Sequence, residues 1–257
     1  MLGRFSSRSK TSLEVARDAY IQLAKEVILN SVYEPGPHLD EGREWPPGHA
    51  LTMIGRKRLD NVHDLVSRVI QDQIPGDLIE TGVWRGGATI LMRAILKSHS
   101  IRDRRVFVAD SFCGIPPVNP EKYPADEVHA GCHEFEILRN NSLEQVQQNF
   151  ARLGLLDDQV VFLKGWFKDT LPQISTERLA LMRLDGDIYE STWDALTNLY
   201  PKLSAGGYVI IDDMCWQGCV KAVEDYRSKY GITAPIHEVD WTGIYWEKLA
   251  ETARRAA

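Results

Sequence analysis

A chain of 257 residues, 44% hydrophobic and 26% charged, is long enough for one large α/β domain or two small ones. It nowhere carries the ~18 consecutive apolar residues of a membrane span. Its net charge of -6, from 30 basic and 36 acidic residues, leaves only Gly55-Arg56-Lys57-Arg58 locally basic, so the expectation is a soluble protein with no membrane or nucleic-acid partner.

The opening MLGRFSSRSKTSLEVARDAY holds arginines and serines but no apolar core of a secretory signal, and reads as a tail followed by a helix. Tyr33 to Ala50 is rich in proline and glycine and reads as a loop. Leu59, Val62, Leu65, Val66, Val69 and Ile70 fall at helical spacing, and Pro75-Gly76 ends that helix. Asp77 to Val83 then predicts a buried strand, Gly86 to Ser98 a helix, and Arg105 to Phe112 a second strand. After a long loop from Cys113 to Asn141, Leu143, Val146, Phe150 and Leu153 mark another helical face. Val160 to Phe167 and Leu179 to Leu184 predict the third and fourth strands, and Trp193, Leu196, Tyr200 and Leu203 the buried side of the next helix. Gly206-Gly207 precedes a fifth strand, YVIIDD; a helix follows from about Cys219 to Tyr230. IHEVDW and GIYWEK are joined too tightly for a crossover and should pair antiparallel. Cys113, Cys132, Cys215 and Cys219 form no Cys-x-x-Cys pair, which predicts reduced thiols in a cytoplasmic protein.

Strands alternating with helices define right-handed βαβ units and a mostly parallel sheet covered on both faces, with ligands beyond the carboxyl ends of its strands. That edge receives Glu80 and Gly82 from strand one, Asp110 from strand two, Asp185 and Asp187 from strand four, and Asp212 and Asp213 from strand five. In IETGVWRGG, Glu80 stands where a dinucleotide fold has its first glycine. A carboxylate there repels a pyrophosphate and accepts a cationic amine or hydroxyls, while Asp110 is placed for the two hydroxyls of a ribose. The bland alternative is a tight strand-to-helix turn.

A hard cation such as Mg²⁺ takes oxygen ligands, and Asp185, Asp212 and Asp213 fit that role. Helix caps and an Asp-Gly-Asp turn could account for one pair of these aspartates. Three or four carboxylates at adjacent strand ends repel one another unless a cation neutralises them. In extended chain Asp187 points the same way as Asp185, ~7 Å further along, which makes it the candidate general base beside the metal.

The segments TMIGRKRLDNV, GDLIETGVWRGGA, VFVADSF, LEQVQQNFARLGLLDDQVVFLKGWFKDTLP, LDGDIYESTWDAL and GGYVIIDD together resemble the TylF/MycF (macrocin O-methyltransferase) family of S-adenosylmethionine- and Mg²⁺-dependent sugar methyltransferases. The resemblance implies the Rossmann-like class I methyltransferase fold, a mostly parallel seven-stranded α/β sheet with a C-terminal antiparallel hairpin. It implies that Glu80 and Gly82 line the methionine part of the cofactor and Asp110 its ribose, with Thr52, Met53, Ser111, Gly165, Trp166 and Asp185 also at the cofactor. By the same resemblance Asp185, Asp212 and Asp213 hold Mg²⁺ and Asp187 is the base.

The expected function is transfer of a methyl group to a sugar hydroxyl of a glycosylated natural product, such as a macrolide or aminocoumarin. Residues 1–50 are expected as a helical extension or lid on a methyltransferase domain of residues 51–257, and the assembly as a homodimer. With the Cys113 to Asn141 loop, where the resemblance fades, residues 1–50 should shape the acceptor pocket. His129, Cys132, His133, Glu134 and Glu136 in that loop lack a zinc-site order and read as surface polar residues. Rival readings are a metal-dependent nucleotide-sugar glycosyltransferase, a catechol-type methyltransferase and a cofactor-binding regulatory protein. A catechol enzyme would place a lysine where Gly186, Asp187, Ile188 and Tyr189 stand.

Overall fold

The sheet consists of β1 (Asp77–Thr81), β2 (Val106–Asp110), β3 (Val160–Lys164), β4 (Leu179–Leu184), β5 (Leu203–Ile211), β6 (His237–Glu238) and β7 (Ile244–Glu247). Their spatial order in the computed structural model, which describes residues 10–43, 45–46, 48–129 and 141–250, is β3-β2-β1-β4-β5-β7-β6. The first five strands run parallel, and β7 pairs antiparallel with both β5 and β6, as the short connection required. The strand order reverses between β1 and β4, and such a reversal opens a crevice at the carboxyl edge.

Eight helices are described: α1 (Ser12–Leu29), α2 (His38–Glu41), α3 (Gly55–Gln71), α4 (Gly87–Ser98), α5 (Leu143–Arg152), α6 (Phe167–Thr170), α7 (Tyr189–Leu199) and α8 (Gln217–Tyr230). On one face of the sheet, α1, α3, α4 and α5 share one apolar cluster with β1 and β2 residues, and on the other α7 and α8 pack in a second cluster. Leu59, Val62, Leu65, Val66 and Val69 of α3 are fully buried, each worth about 1.5–3 kcal/mol relative to exposure, which fixes the face this helix turns to the sheet. Capping boxes open α1 at Thr11 and Glu14 and α5 at Ser142 and Gln145.

The N-terminal helix belongs to the main core. Ile21, Ile28 and Leu29 join the first cluster, Leu51 N donates to Ile28 O at 2.8 Å, and the buried Lys25 reaches Asp60 at 2.6 Å. Several boundaries differ from the sequence expectation: strand two ends at Asp110, short of Phe112, and the expected loop from Tyr33 to Ala50 contains α2. Strand one stops at Thr81 because Gly82 turns left-handed, with φ 76°, and strand three stops at Lys164, leaving Phe167 to begin α6. Leu203 starts β5 instead of continuing the preceding helix, because Pro201 lies in a 3₁₀ turn that ends it.

Candidate active site

The carboxyl edge is knitted by one backbone bond beyond each strand. Gly82 N donates to Ala109 O, Asp185 N to Thr81 O, Asp212 N to Leu184 O and Gly165 N to Asp110 O, each at 2.9 Å. The strand ends are therefore held side by side, and glycine is required at the closest approach: a Cβ on Gly82 would lie 1.8 Å from Asp185 O. Above this edge opens a cavity of about 560 Å³. Thr52, Met53, Glu80, Gly82, Asp110, Ser111, Gly165, Trp166, Asp185, Asp187, Asp212 and Asp213 all line it, so every site residue singled out from the sequence meets in one place.

Asp110 is oriented by backbone donors, Val83 N at 2.8 Å and Phe112 N at 2.7 Å, and burial raises its pKa against their pull. Glu80 is 2% exposed and accepts from Thr89 N at 3.1 Å and from Arg183 Nη1 at 2.5 Å. Burial pushes its carboxyl up to about 7, opposed by the Arg183 charge.

Arg183 organises the floor of the site. Its guanidinium lies 2.5 Å from Glu80, 2.9 Å from Asp185 and 2.5 Å from Asp212, and it is itself 1% exposed. Burial alone would lower the Arg183 pKa; the charges of Asp212, Glu80 and Asp185 reverse the sign and raise it, so the guanidinium stays charged. Asp212 is gripped from both sides, by Arg183 and by Arg58 Nη1 at 2.6 Å. Burial opposes ionisation of Asp212, but the two guanidiniums more than offset it and hold its carboxyl below the usual range.

The metal group expected from the sequence was Asp185, Asp212 and Asp213. Among the described residues, the carboxylate oxygens that converge within 4.8 Å of one another belong to Asp185, Asp187 and Asp213, while Asp212 is turned onto its arginines. The extended-chain placement of Asp187 is also corrected. Strand β4 ends at Leu184, Asp187 adopts a left-handed φ of 55°, and Gly186 N and Asp187 N donate to Asp213 Oδ2 at 2.9 and 3.0 Å. This turn folds Asp187 back beside Asp185 instead of leaving it a strand repeat away. Burial and the neighbouring charges of Asp213 and Asp212 raise Asp185, and burial with Asp187 and Asp212 raises Asp213. Burial, then the charges of Asp185, Asp212 and Asp110, push Asp187 up to about 8 against a hydrogen bond from Trp216. Three hard oxygen donors in mutual repulsion are the donor set that a divalent cation takes, so the residues present fit one.

Arg58 and Arg183 were not singled out from the sequence, although an arginine inside the otherwise apolar LALMRL was a readable signal of a buried counter-charge. Trp45, Trp84, Trp216 and Trp241 also line the cavity. His129, expected at the surface, is buried edge-on to Trp216 at 4.7 Å; Cys132, His133, Glu134 and Glu136 lie outside the described residues.

The sheet order, the crevice between β1 and β4 and the acidic strand ends define a class I methyltransferase fold. A family model described as macrocin O-methyltransferase (TylF) matches residues 10–248, and the chain belongs to that family of O-methyltransferases. S-adenosylmethionine is the methyl donor this membership implies. The chain is 52% identical over 254 residues to the 8-demethyl-8-(2,3-dimethoxy-alpha-L-rhamnosyl)-tetracenomycin-C 4'-O-methyltransferase of Streptomyces olivaceus, covering 94% of this chain and 97% of the relative. It is 48% identical over 257 residues to the demethyldecarbamoylnovobiocin O-methyltransferase of Streptomyces niveus, covering 93% and 97%. The solved structure of the O-methyltransferase NovP superposes with a TM-score of 0.87 at 49% identity, covering 91% of this chain and 100% of that one.

Proposed function

We propose that the protein methylates a hydroxyl of a deoxysugar carried on a glycosylated natural product, with a divalent cation such as Mg²⁺ at the acidic cluster. The observation that carries this reading is that the Asp185, Asp187 and Asp213 carboxylates share one cavity with Glu80 and Asp110. The rhamnosyl group in the name of the 52% identical relative supports the sugar.

When bound, S-adenosylmethionine supplies an electrophilic methyl group, and a divalent cation supplies a fixed charge that acidifies and orients a hydroxyl. The chain's own residues do the rest. Glu80, paired with Arg183, would take the cofactor's amine, and Asp110 its ribose hydroxyls. Asp185 and Asp213 are the ligands common to the expected and the observed groupings. Asp187, beside both, would accept the hydroxyl proton as the new bond forms. Arg183 ties the cofactor end to the metal end through Glu80 and Asp185, so positioning contributes much of the rate.

Arg43 and Trp45 reach the cavity, which supports residues 1–50 as contributors to the acceptor wall beside a domain of residues 51–257. The exposed apolar side chains Leu13, Tyr20, Leu23 and Val27 along α1 support a homodimer. The described cysteines Cys113, Cys215 and Cys219 are free thiols, which supports a cytoplasmic setting, and no described helix is long and apolar enough to cross a membrane.

The test is calorimetric binding of S-adenosylhomocysteine, followed by methyl transfer to rhamnosides with Mg²⁺ or with a chelator. Binding of S-adenosylhomocysteine with metal-dependent transfer supports the reading. Metal-dependent binding of a nucleotide sugar in its place would refute it.

A further inference from the structure

We propose that the cavity includes a binding site for a planar aromatic aglycone, built from the indoles of Trp45, Trp84 and Trp241. The inference rests on the reading of the protein as a glycoside methyltransferase and deepens it by naming what the sugar hangs from. All three indoles line the cavity that holds the acidic cluster. Trp45 and Trp241 are nevertheless 48% and 41% exposed, an unusual amount of ring surface to leave in water beside a ligand cavity.

Trp45 lies between α2 and α3 and Trp241 between β6 and β7, segments that carry none of the acidic strand-end groups, while Trp84 stands on a left-handed turn after β1 with φ 48°. The acidic cluster would hold the sugar, and the three indoles line the same cavity.

The platform is braced before any ligand arrives. The Arg85 guanidinium lies 4.2 Å from the ring centre of Trp84 and donates to Gly48 O and Ala50 O at 2.8 Å each. Arg85 thus links the Trp84 ring to the backbone of Gly48 and Ala50, close in sequence to Trp45. Trp45 and Trp84 stand 6.5 Å apart at 58°, an open angle between two ring surfaces. Trp241 is fixed by its Nε1 donating to Glu41 O at 2.9 Å, with Arg43 5.0 Å from its ring centre. Rigid indoles with few freedoms to lose favour a flat apolar ring system, and two guanidiniums at their margin favour a phenolic or neutral ring over a cationic one.

The experiment compares 1-naphthyl and methyl α-L-rhamnopyranoside by calorimetry on the full chain saturated with S-adenosylhomocysteine. The expected result is that the naphthyl glycoside binds about tenfold tighter or better, the scale of one ring stacked on an indole together with its buried area. Trp45→Ala, which empties no core, should lose most of that margin, and Trp45→Phe should keep most of it. Equal affinities in the unaltered protein, or a margin undiminished in Trp45→Ala, would overturn the proposal. A parallel assay with S-adenosylmethionine and Mg²⁺ separates the two readings: a persisting margin with no methyl transfer to either glycoside would support the aromatic site and count against sugar methylation.

Discussion

Arg58 Nη1 lies 2.6 Å from Asp212 Oδ2, joining two buried side chains 154 residues apart in the chain. The same guanidinium reaches Asp240 at 3.0 Å and Glu41 O at 3.1 Å. A single arginine on α3 thus ties the strand-five end to both the N-terminal wall and the C-terminal hairpin. Breaking a buried ion pair from one side strands the other charge, which makes these contacts costly to disturb.

Asp187→Asn keeps the shape of the proposed base and removes its capacity to take a proton. Turnover should fall about 10²- to 10⁴-fold, while calorimetric affinity for S-adenosylhomocysteine changes little. Unchanged turnover would remove the base assignment.

Arg183→Met leaves Glu80, Asp185 and Asp212 without their shared counter-charge in a buried site. Denaturant unfolding should show a loss of about 3–5 kcal/mol, and Arg183→Lys, which keeps the charge but not the fork, a smaller one. A midpoint equal to that of the unaltered protein would contradict the geometry.

Gly82→Ala would force a Cβ to within 1.8 Å of Asp185 O at a φ of 76°. The cost of the left-handed residue alone is on the order of 1 kcal/mol, and separating β1 from β4 adds to it. The expected signature is a lowered Tm together with lost S-adenosylhomocysteine affinity; retention of both would show that the strand ends tolerate separation.

Metal affinity should depend on pH. Burial and neighbouring carboxylates push Asp187 up to about 8 and raise Asp185 and Asp213, so a proton must leave before an oxygen can ligate. Mg²⁺ binding is therefore weakest in acid and strengthens as pH rises through neutrality toward about 8. Isothermal titrations across that range should also show proton release on binding, and a flat profile would argue against the carboxylate cluster as the metal site.

Much of the site was legible because the controlling information is local. In DLIETG, VFVAD, LALMRLDGD and VIIDD an apolar run ends in an acidic residue, and parallel βαβ winding sends each such end to the same edge. The antiparallel closing pair was legible for the same reason, since the five residues between Glu238 and Ile244 cannot hold a crossover. The basic run Arg56-Lys57-Arg58 was not legible as structure, because its partners lie far away: Arg56 pairs with Glu26, Lys57 with Glu41, and Arg58 with Asp212 and Asp240.

By itself, then, the sequence determined the parallel sheet, the edge where ligands meet and the residue types delivered there, because hydrophobic period and turn chemistry act within a few residues. Only the tertiary structure decided which carboxylates face one another. Asp187 turns back because its backbone N–H meets Asp213 across a strand gap, and Asp212 turns away because Arg58 and Arg183 compensate its charge from two other elements. Such choices are set by electrostatic balance in a buried space, which exists only once distant segments have closed around it.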